Sequence, residues 1–212
     1  YKGVLPVGLG ADALGGAVNV ITRKTANYLD VSYSFGSFNT HKASINGAYT
    51  NGKTGLTTRL TSFLNYSDNN YKVYVPIIDL ESGQKLGNQW VKRFHDGYKS
   101  LRVRLETGFV NRPFADYLLA GIIVAGNDKD IQNGVVMELV YGARTTDSRS
   151  VIPMLRYKKS DLFIEGWGLS FYGSYSDVDN NSTDTVPRRY NWQGEWVPNA
   201  STSSGERSRS QL

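Results

Sequence analysis

The sequence predicts an all-β protein, and within that class a run of about seven strands from a transmembrane antiparallel β-barrel. Seven segments alternate apolar and polar residues, which places the two kinds of side chain on opposite faces of a strand. The connections between these segments are alternately short and long. No apolar run approaches the roughly 18–20 residues that a membrane-crossing helix needs. The pattern therefore favours a membrane crossed by strands.

The fourth of these segments shows the alternation most clearly. One face carries Leu101, Val103, Leu105, Thr107 and Phe109, and the other carries Arg102, Arg104 and Glu106. An apolar face that meets lipid and a charged face that meets water account for this division. A soluble sandwich explains one such strand well, but it explains seven poorly.

The seven predicted strands vary in the strength of their alternation. They cover residues 29–35, 43–50, 56–66, 101–111, 117–125, 151–158 and 167–175. The fifth is apolar throughout, so its facing is undefined, and Ile152 and Met154 interrupt the polar face of the sixth. Aromatic residues near the strand ends are candidates for the girdles that mark a membrane interface: Tyr33, Phe35, Tyr66, Tyr157, Trp167 and Tyr175.

The connection lengths divide the molecule into two ends. Short turns at 51–54, 112–115 and 159–163 fall on one side of the predicted sheet. The reversal at 36–39 and three long polar segments, 67–97, 126–149 and 177–212, fall on the other. Bacterial outer-membrane barrels have this asymmetry and an even number of strands. We therefore expect the chain to be part of a longer protein whose secretory signal lies upstream.

Composition argues against several other classes of protein. The chain has no cysteine, which excludes a disulfide framework and a cysteine-ligated metal site. The net charge of +5 is spread along the chain, so nucleic-acid binding is not expected. The two histidines, His41 and His95, are far apart, and no nucleophile-and-base pair stands out. We expect neither an enzyme nor a bound metal or cofactor.

The N-terminal segment is rich in glycine. Residues 8–13 satisfy the pattern G-x-G-x-x-G/A, with Asp30 about twenty residues further on, as in a dinucleotide-binding unit. That unit requires a helix directly after the glycines to hold the pyrophosphate. Here Gly15 and Gly16 are followed by the β-branched run 18–22, which is typical of a strand. The nucleotide-binding interpretation is therefore disfavoured.

The same segment carries a more specific likeness. Residues 10–24, G-A-D-A-L-G-G-A-V-N-V-I-T-R-K, resemble the end of the plug domain of TonB-dependent outer-membrane receptors, with Gly10, Ala13, Gly15, Gly16 and Asn19 at the characteristic positions. The resemblance implies that residues 1–26 end a plug domain. Residues 27–212 would then be the N-terminal strands and loops of an incomplete 22-stranded plugged barrel. The loop composition resembles that of receptors from the Bacteroidota.

The resemblance also implies a function. It implies an active transport receptor in the outer membrane of a Gram-negative bacterium, surrounded by lipid, which binds a scarce solute and imports it when TonB acts on the plug. A ferric siderophore is the commonest solute of the family, and haem, cobalamin and glycans are the alternatives. The region that contacts TonB would lie upstream. Outside this family, a passive porin-type barrel and a soluble all-β binding module remain open.

Candidate ligand contacts lie in the long segment 67–97. They are Tyr71, Tyr74, Trp90, Arg93 and His95. Aromatic rings beside cations suit an anionic, aromatic-rich iron chelate, through cation–π and charge-assisted contacts. We expect Arg93 and His95 to contact the solute, the alternative being that both are solvated loop residues. Arg59, Arg102, Arg104 and Glu106 are expected to pair with plug groups.

Overall fold

The computed structural model describes residues 27–184, 186–199 and 206–211, and this part of the chain is all-β. Its strands are β1 (Tyr28–Gly36), β2 (Thr40–Thr50), β3 (Leu56–Ser67), β4 (Lys72–Ile78), β5 (Lys85–Lys92), β6 (Tyr98–Arg112), β7 (Ala115–Asp130), β8 (Arg144–Lys159), β9 (Leu169–Ser174), β10 (Asp177–Asp184), β11 (Arg188–Tyr190), β12 (Trp196–Pro198) and β13 (Glu206–Gln211). Among these described residues, no helix is long and apolar enough to span a bilayer.

Nine strands form one antiparallel sheet, the main sheet. Its order is β1-β2-β3-β6-β7-β8-β10-β13, and β9 also pairs with β8. The strands follow one another as in a meander, because the hairpins β4–β5 and β11–β12 lie within connections and form separate two-stranded sheets. Successive connections therefore lie at opposite ends of the sheet. The connections at 51–55, 113–114 and 160–168, of two to nine residues, share one end, the turn end. The three-residue reversal at 37–39 and the long connections share the other, the loop end.

Strands β9 and β10 extend along β8 in a single register. Met154 of β8 lies opposite Ser174, and Val151 lies opposite Asp177. The interruption between the two strands faces Pro153, which has no N–H to donate to its neighbour. Tyr175 still donates its N–H to the Pro153 carbonyl at 3.1 Å. The two short strands thus act as one long strand with a missing hydrogen bond.

One face of the main sheet is apolar across seven of its strands, which are β1, β2, β3, β6, β7, β8 and β9. A row across six strands contains Val31, Ile45, Ser62, Val103, Val124 and Val151, each opposite the next. The side chains on this face are exposed, and in β1 the exposed fractions of Leu29, Val31, Tyr33 and Phe35 run from 64% to 72%. This surface, the apolar face, is covered by nothing in the described part of the chain.

The opposite face carries polar and charged side chains with a buried carboxylate. Glu106 is 5% exposed and lies 2.9 Å from Arg104 and 3.5 Å from Arg156. Gly121 on the neighbouring strand makes room for it, because a Cβ there would lie 2.8 Å from Glu106 Cγ. The Arg156 guanidinium also stacks over Tyr117 at 5.5 Å. The alternation predicted for this strand from the sequence is confirmed.

Aromatic side chains gather at both ends of the apolar face. At the loop end, the rings of Tyr33, Phe35 and Tyr66 surround His41 at centroid distances of 5.0–6.1 Å. At the turn end, Phe109 and Phe114 meet edge to face at 6.0 Å, and the Tyr157 hydroxyl donates to the Phe114 carbonyl at 2.9 Å. The aromatic residues therefore bracket the aliphatic ones along the strand direction.

Several sequence-based boundaries were wrong. The segment 177–212, expected to be a polar tail, contains β10, β11, β12 and β13. The segment 67–97, expected to be a loop, contains the β4–β5 hairpin. Strand β10 is polar on both faces, so it lacks the alternation that marks a strand in sequence. In β7 the register places Leu118, Ile122 and Val124 on the apolar face, which settles the facing of the fifth predicted strand.

Candidate ligand-binding site on the loop cap

Three long connections meet at the loop end of the main sheet. They are residues 68–97 between β3 and β6, 131–143 between β7 and β8, and 186–199 between β10 and β13. Antiparallel meander order brings alternate connections to the same end of a sheet, which is why these three segments become neighbours. They pack together into one unit, called the loop cap here.

The loop cap has its own apolar core. Val75 and Ile77 from β4 are 1% exposed, Val140 is 6% exposed and Trp192 is 2% exposed. Four partly buried side chains pack around them: Val73, Val91, Met137 and Tyr190. The Trp192 indole N–H donates to the Met137 carbonyl at 2.6 Å. Each of the three connections contributes to this core, so the cap holds together as a small folded body.

Arg93 links the three parts of the cap. Its guanidinium lies 5.3 Å from the ring centre of Tyr71 and 5.6 Å from that of Trp192. It donates to the Tyr71 hydroxyl at 2.9 Å and to the Asn133 side-chain oxygen. Its Nε lies 3.2 Å from the carboxylate of Asp96. These contacts occupy the guanidinium within the protein, which suits a residue that positions the loops.

Gln132 and His95 join the cap to the main sheet. Gln132 is fully buried, and its side-chain oxygen accepts the backbone N–H groups of Phe94 at 2.9 Å and His95 at 3.2 Å. His95 Nε2 lies 2.8 Å from the carbonyl oxygen of Arg144. A carbonyl only accepts, so this nitrogen carries the proton. The segment 94–96 is thereby fixed against the ends of β7 and β8.

Asp96 makes the stability of the loop cap dependent on pH. Burial raises the pKa of its carboxyl, although the charge of Arg93 acts in the opposite direction. The folded state therefore binds the proton more tightly than the unfolded chain does. The stabilisation from this group is complete below the unfolded pKa and is lost as the pH rises through the folded one. We expect the Asp96 contribution to the urea resistance of the cap to fall as the pH rises above about 4, the ordinary pKa of an aspartate side chain.

Urea titrations of the intact protein, followed by tryptophan fluorescence, test this expectation. Asp96→Asn keeps the shape of the side chain and removes its titration, so the variant is expected to lose that part of the pH dependence. Asp79→Asn is the matched control, because Asp79 lies in the same loop and hydrogen bonds from Ser82 lower its pKa. Its removal should change the pH dependence in the opposite direction. If the free energy of unfolding changed equally with pH in the parent protein and in Asp96→Asn, the raised pKa of Asp96 would be contradicted.

The structure divides the five candidate contacts into two groups. Tyr71, Arg93 and His95 belong to the internal network, whereas Tyr74 and Trp90 lie on the outer face of the β4–β5 hairpin, 58% and 67% exposed. Contact of Arg93 and His95 with a solute stays a prediction, and their internal hydrogen bonds favour a positioning role. The plug-end positions Gly10, Ala13, Gly15, Gly16 and Asn19 lie outside the described residues.

Sequence reasoning missed several residues that build the cap. Gln132, Asp96 and Trp192 lie in segments whose composition indicates only polar loop. A usable signal was present for the hairpin. Residues 72–75 (K-V-Y-V) and 90–92 (W-V-K) alternate polar or aromatic side chains with valine, which is the period of a half-buried strand. That signal would also have placed Lys72 and Lys92 on the same face as Tyr74 and Trp90.

The outer face of the hairpin presents four of these side chains together. Tyr74 lies directly opposite Trp90, with ring centroids 5.4 Å apart and planes tilted by 40°. Lys72 lies directly opposite Lys92 one step along the same face. We call these four residues the aromatic–lysine platform. Its rings and cations are open to solvent and available to a ligand.

Comparison of the whole chain with protein-family models, with curated proteins and with solved structures finds no match. Within the described residues, no group of three or more His, Asp or Glu side chains is arranged to hold a metal ion.

Proposed function

We propose that this chain is part of a TonB-dependent receptor of the bacterial outer membrane, comprising the end of the plug and the first strands of the barrel. Its function would be the binding and energy-dependent import of a scarce solute, with a ferric siderophore as the leading candidate. The observation that carries the proposal is the apolar face of the main sheet. It combines a broad exposed apolar surface with a charged opposite face.

The size of the apolar face argues for contact with lipid. Soluble monomers rarely expose contiguous apolar patches larger than a few hundred Å². Here aliphatic and aromatic side chains are exposed along β1, β2, β3, β6, β7, β8 and β9. Burial of one large apolar side chain is worth about 1.5–3 kcal/mol. A lipid bilayer would remove this whole surface from water. The aromatic residues at both ends would then lie at the two membrane–water interfaces.

The two ends of the sheet support the same proposal. Tight connections lie at the turn end, and the folded loop cap lies at the loop end, as expected for periplasmic turns and external loops. A cap with its own core can present a fixed binding surface to the outside. The plug-like segment 10–24 favours an energy-coupled receptor over a passive porin, since a porin has no plug domain of this kind.

Uptake by a strain that lacks the intact gene tests the proposed function. Labelled ferric siderophores, haem, cobalamin and oligosaccharides would be supplied with and without a protonophore. Loss of one protonophore-sensitive uptake activity, restored by the gene on a plasmid, is the expected result. Loss of a protonophore-insensitive leak would instead indicate a porin. Unchanged uptake of every solute, together with recovery of the protein in the soluble fraction, would indicate a soluble binding module.

A further inference from the structure

The chain contains three Asn-Gly pairs, at 46–47, 51–52 and 133–134. In this dipeptide the backbone nitrogen of the glycine can attack the side-chain carbonyl carbon of the asparagine, because glycine has no Cβ to crowd the attacking atom. Ammonia leaves and a succinimide ring forms, which water then opens to aspartate or to isoaspartate. The dipeptide is the same in all three places, so the fold decides which pair reacts.

The pair at 46–47 is held in the main sheet. Gly47 lies in the middle of β2, opposite Leu29 of β1 on one side and Leu60 of β3 on the other. A strand with a neighbour on each side uses its backbone N–H groups in the ladder. The Gly47 nitrogen therefore reaches the side chain of Asn46 only after the strands open locally, which protects this pair.

The pair at 133–134 is held in the loop cap. The Gly134 N–H donates to the Leu139 carbonyl at 2.9 Å. The side-chain oxygen of Asn133 accepts from the Arg93 guanidinium, and its side-chain nitrogen donates to the Gly134 carbonyl at 2.9 Å. The attacking nitrogen and the attacked amide are thus both engaged, so the reaction requires these hydrogen bonds to break first.

The pair at 51–52, in the connection between β2 and β3, has a side chain prepared for attack. The side-chain oxygen of Asn51 accepts the backbone N–H groups of Lys53 at 3.0 Å and Thr54 at 3.2 Å. Two such donors stabilise the negative oxygen that forms when the carbonyl carbon is attacked. The side-chain nitrogen of Asn51, which leaves as ammonia, makes no hydrogen bond within the described residues.

The attacking nitrogen of this pair is also free. The Gly52 N–H takes part in none of the hydrogen bonds of the connection, nor in any other within the described part of the chain. Gly52 is exposed, and a Cβ built on it would meet no atom within 4 Å. Hydroxide can therefore reach this N–H and remove its proton, which the attack requires.

The hydrogen bonds of the connection suit an isoaspartate product as well. When the ring opens at the main-chain carbonyl, the backbone runs through the former side-chain carbon, whose oxygen already accepts from Lys53 and Thr54. The former main-chain carbonyl of Asn51 becomes a carboxylate, and its oxygen already accepts the Gly55 N–H at 2.7 Å. The negative charge strengthens that hydrogen bond. The connection thus accommodates the longer backbone with its hydrogen bonds retained.

We infer that Asn51 is a self-modifying site, which deamidates in the folded protein to isoaspartate while Asn46 and Asn133 are protected. A bond forms between the Gly52 nitrogen and Cγ of Asn51, the bond from Cγ to Nδ2 breaks, and the Gly52 proton leaves with the ammonia. Water then adds across the ring bond between the main-chain carbonyl carbon and the Gly52 nitrogen. The product gains one negative charge and one backbone atom at the turn end. This inference does not depend on the proposed function.

Timed incubation of the purified intact protein in mildly alkaline buffer tests the inference. Proteolytic digestion and mass spectrometry then measure the loss of ammonia at each pair separately, and an isoaspartyl carboxyl methyltransferase labels the isoaspartate product. In the folded protein, Asn51 is expected to react at least about tenfold faster than Asn46 and Asn133. In urea the three rates should converge, because the contacts that distinguish the pairs are lost.

Gly52→Ala tests the attacking group while the connection keeps its shape. The space around Gly52 is open, so the variant should fold as the parent does, and circular dichroism checks this. Its methyl group crowds the attacking nitrogen and should slow deamidation at Asn51 about tenfold. Gly126→Ala is the matched control, since it makes the same change in β7 and should leave the rate at Asn51 unchanged.

Three results would overturn the inference. One is equal reaction at the three pairs in the folded protein, and another is reaction of Asn51 only after unfolding in urea. The third is a product at Asn51 that contains aspartate without isoaspartate, which would contradict the proposed fit of the longer backbone. The comparison of the three pairs uses the parent protein alone, so it decides the question even if Gly52→Ala fails to fold.

Discussion

Replacement of Trp192 by alanine is expected to unfold the loop cap while the main sheet stays intact. Trp192 is 2% exposed, packs between Val75, Ile77 and Val140, and lies under the Arg93 guanidinium. Truncation of a buried tryptophan costs about 3–5 kcal/mol. The cap core contains only a few side chains, so a loss of this size exceeds what the remaining contacts can offset.

Limited proteolysis of the intact protein measures this effect, because an opened cap exposes its connections to cleavage. The expected result is rapid cleavage within 68–97 and 131–143, with the strands of the main sheet protected. Trp192 lies in the turn of the β11–β12 hairpin. Trp196→Ala is the matched control, because Trp196 belongs to the same hairpin but is 46% exposed and contacts Arg188. Equal protease resistance in Trp192→Ala and the parent would show that the cap core does not depend on this residue.

A Gly108→Ala substitution is expected to disrupt the pairing of β6 with β7. A Cβ at position 108 would lie 1.9 Å from the carbonyl oxygen of Leu118 and 2.9 Å from the Cα of Leu119. Both are backbone atoms, so no rotamer change relieves the overlap and the strands must separate locally. We expect a loss of about 3 kcal/mol in the free energy of unfolding, at the upper end of the usual cost of overpacking.

Gly126→Ala in β7 is the control for this prediction. A Cβ there would lie 3.6 Å from the nearest backbone oxygen, an ordinary contact, so the substitution should be neutral or slightly stabilising. Urea unfolding of the refolded intact protein, monitored by circular dichroism, compares the two variants. A Gly108→Ala variant as stable as Gly126→Ala would show that β6 and β7 are further apart than the described register requires.

Much of the main sheet could be predicted from the sequence because period-two alternation is a local signal. Six predicted segments coincide in their central residues with β1, β2, β3, β6, β7 and β8, and the seventh contains β9. The Asn51-Gly52 turn and the Arg112–Ala115 reversal were also visible. The strand ends could not be predicted from the sequence. Asp128, Asn180 and their neighbours place polar side chains on both faces of their strands, so the apolar–polar alternation is lost there.

The loop cap could not be predicted because its contacts join segments that are distant in the chain. The Trp192 indole reaches Met137, 55 residues away, and the Arg93 guanidinium reaches Asn133, 40 residues away. No pattern in the local sequence indicates contacts between segments so far apart in the chain. Composition showed only that 67–97 is rich in aromatic and cationic residues. It did not show that Arg93 is held internally, whereas Trp90 is exposed.

The sequence by itself determined the strand class, the two-sided character of the main sheet and the alternation of short and long connections. These properties depend on residues two to four positions apart in the chain, so the sequence reveals them without knowledge of the tertiary structure. Only the tertiary structure decided which side chains of the long connections are buried and which are free. Meander order places the three connections at one end of the sheet, and their packing turns one face of the β4–β5 hairpin inward. The aromatic–lysine platform is the face that this packing leaves exposed.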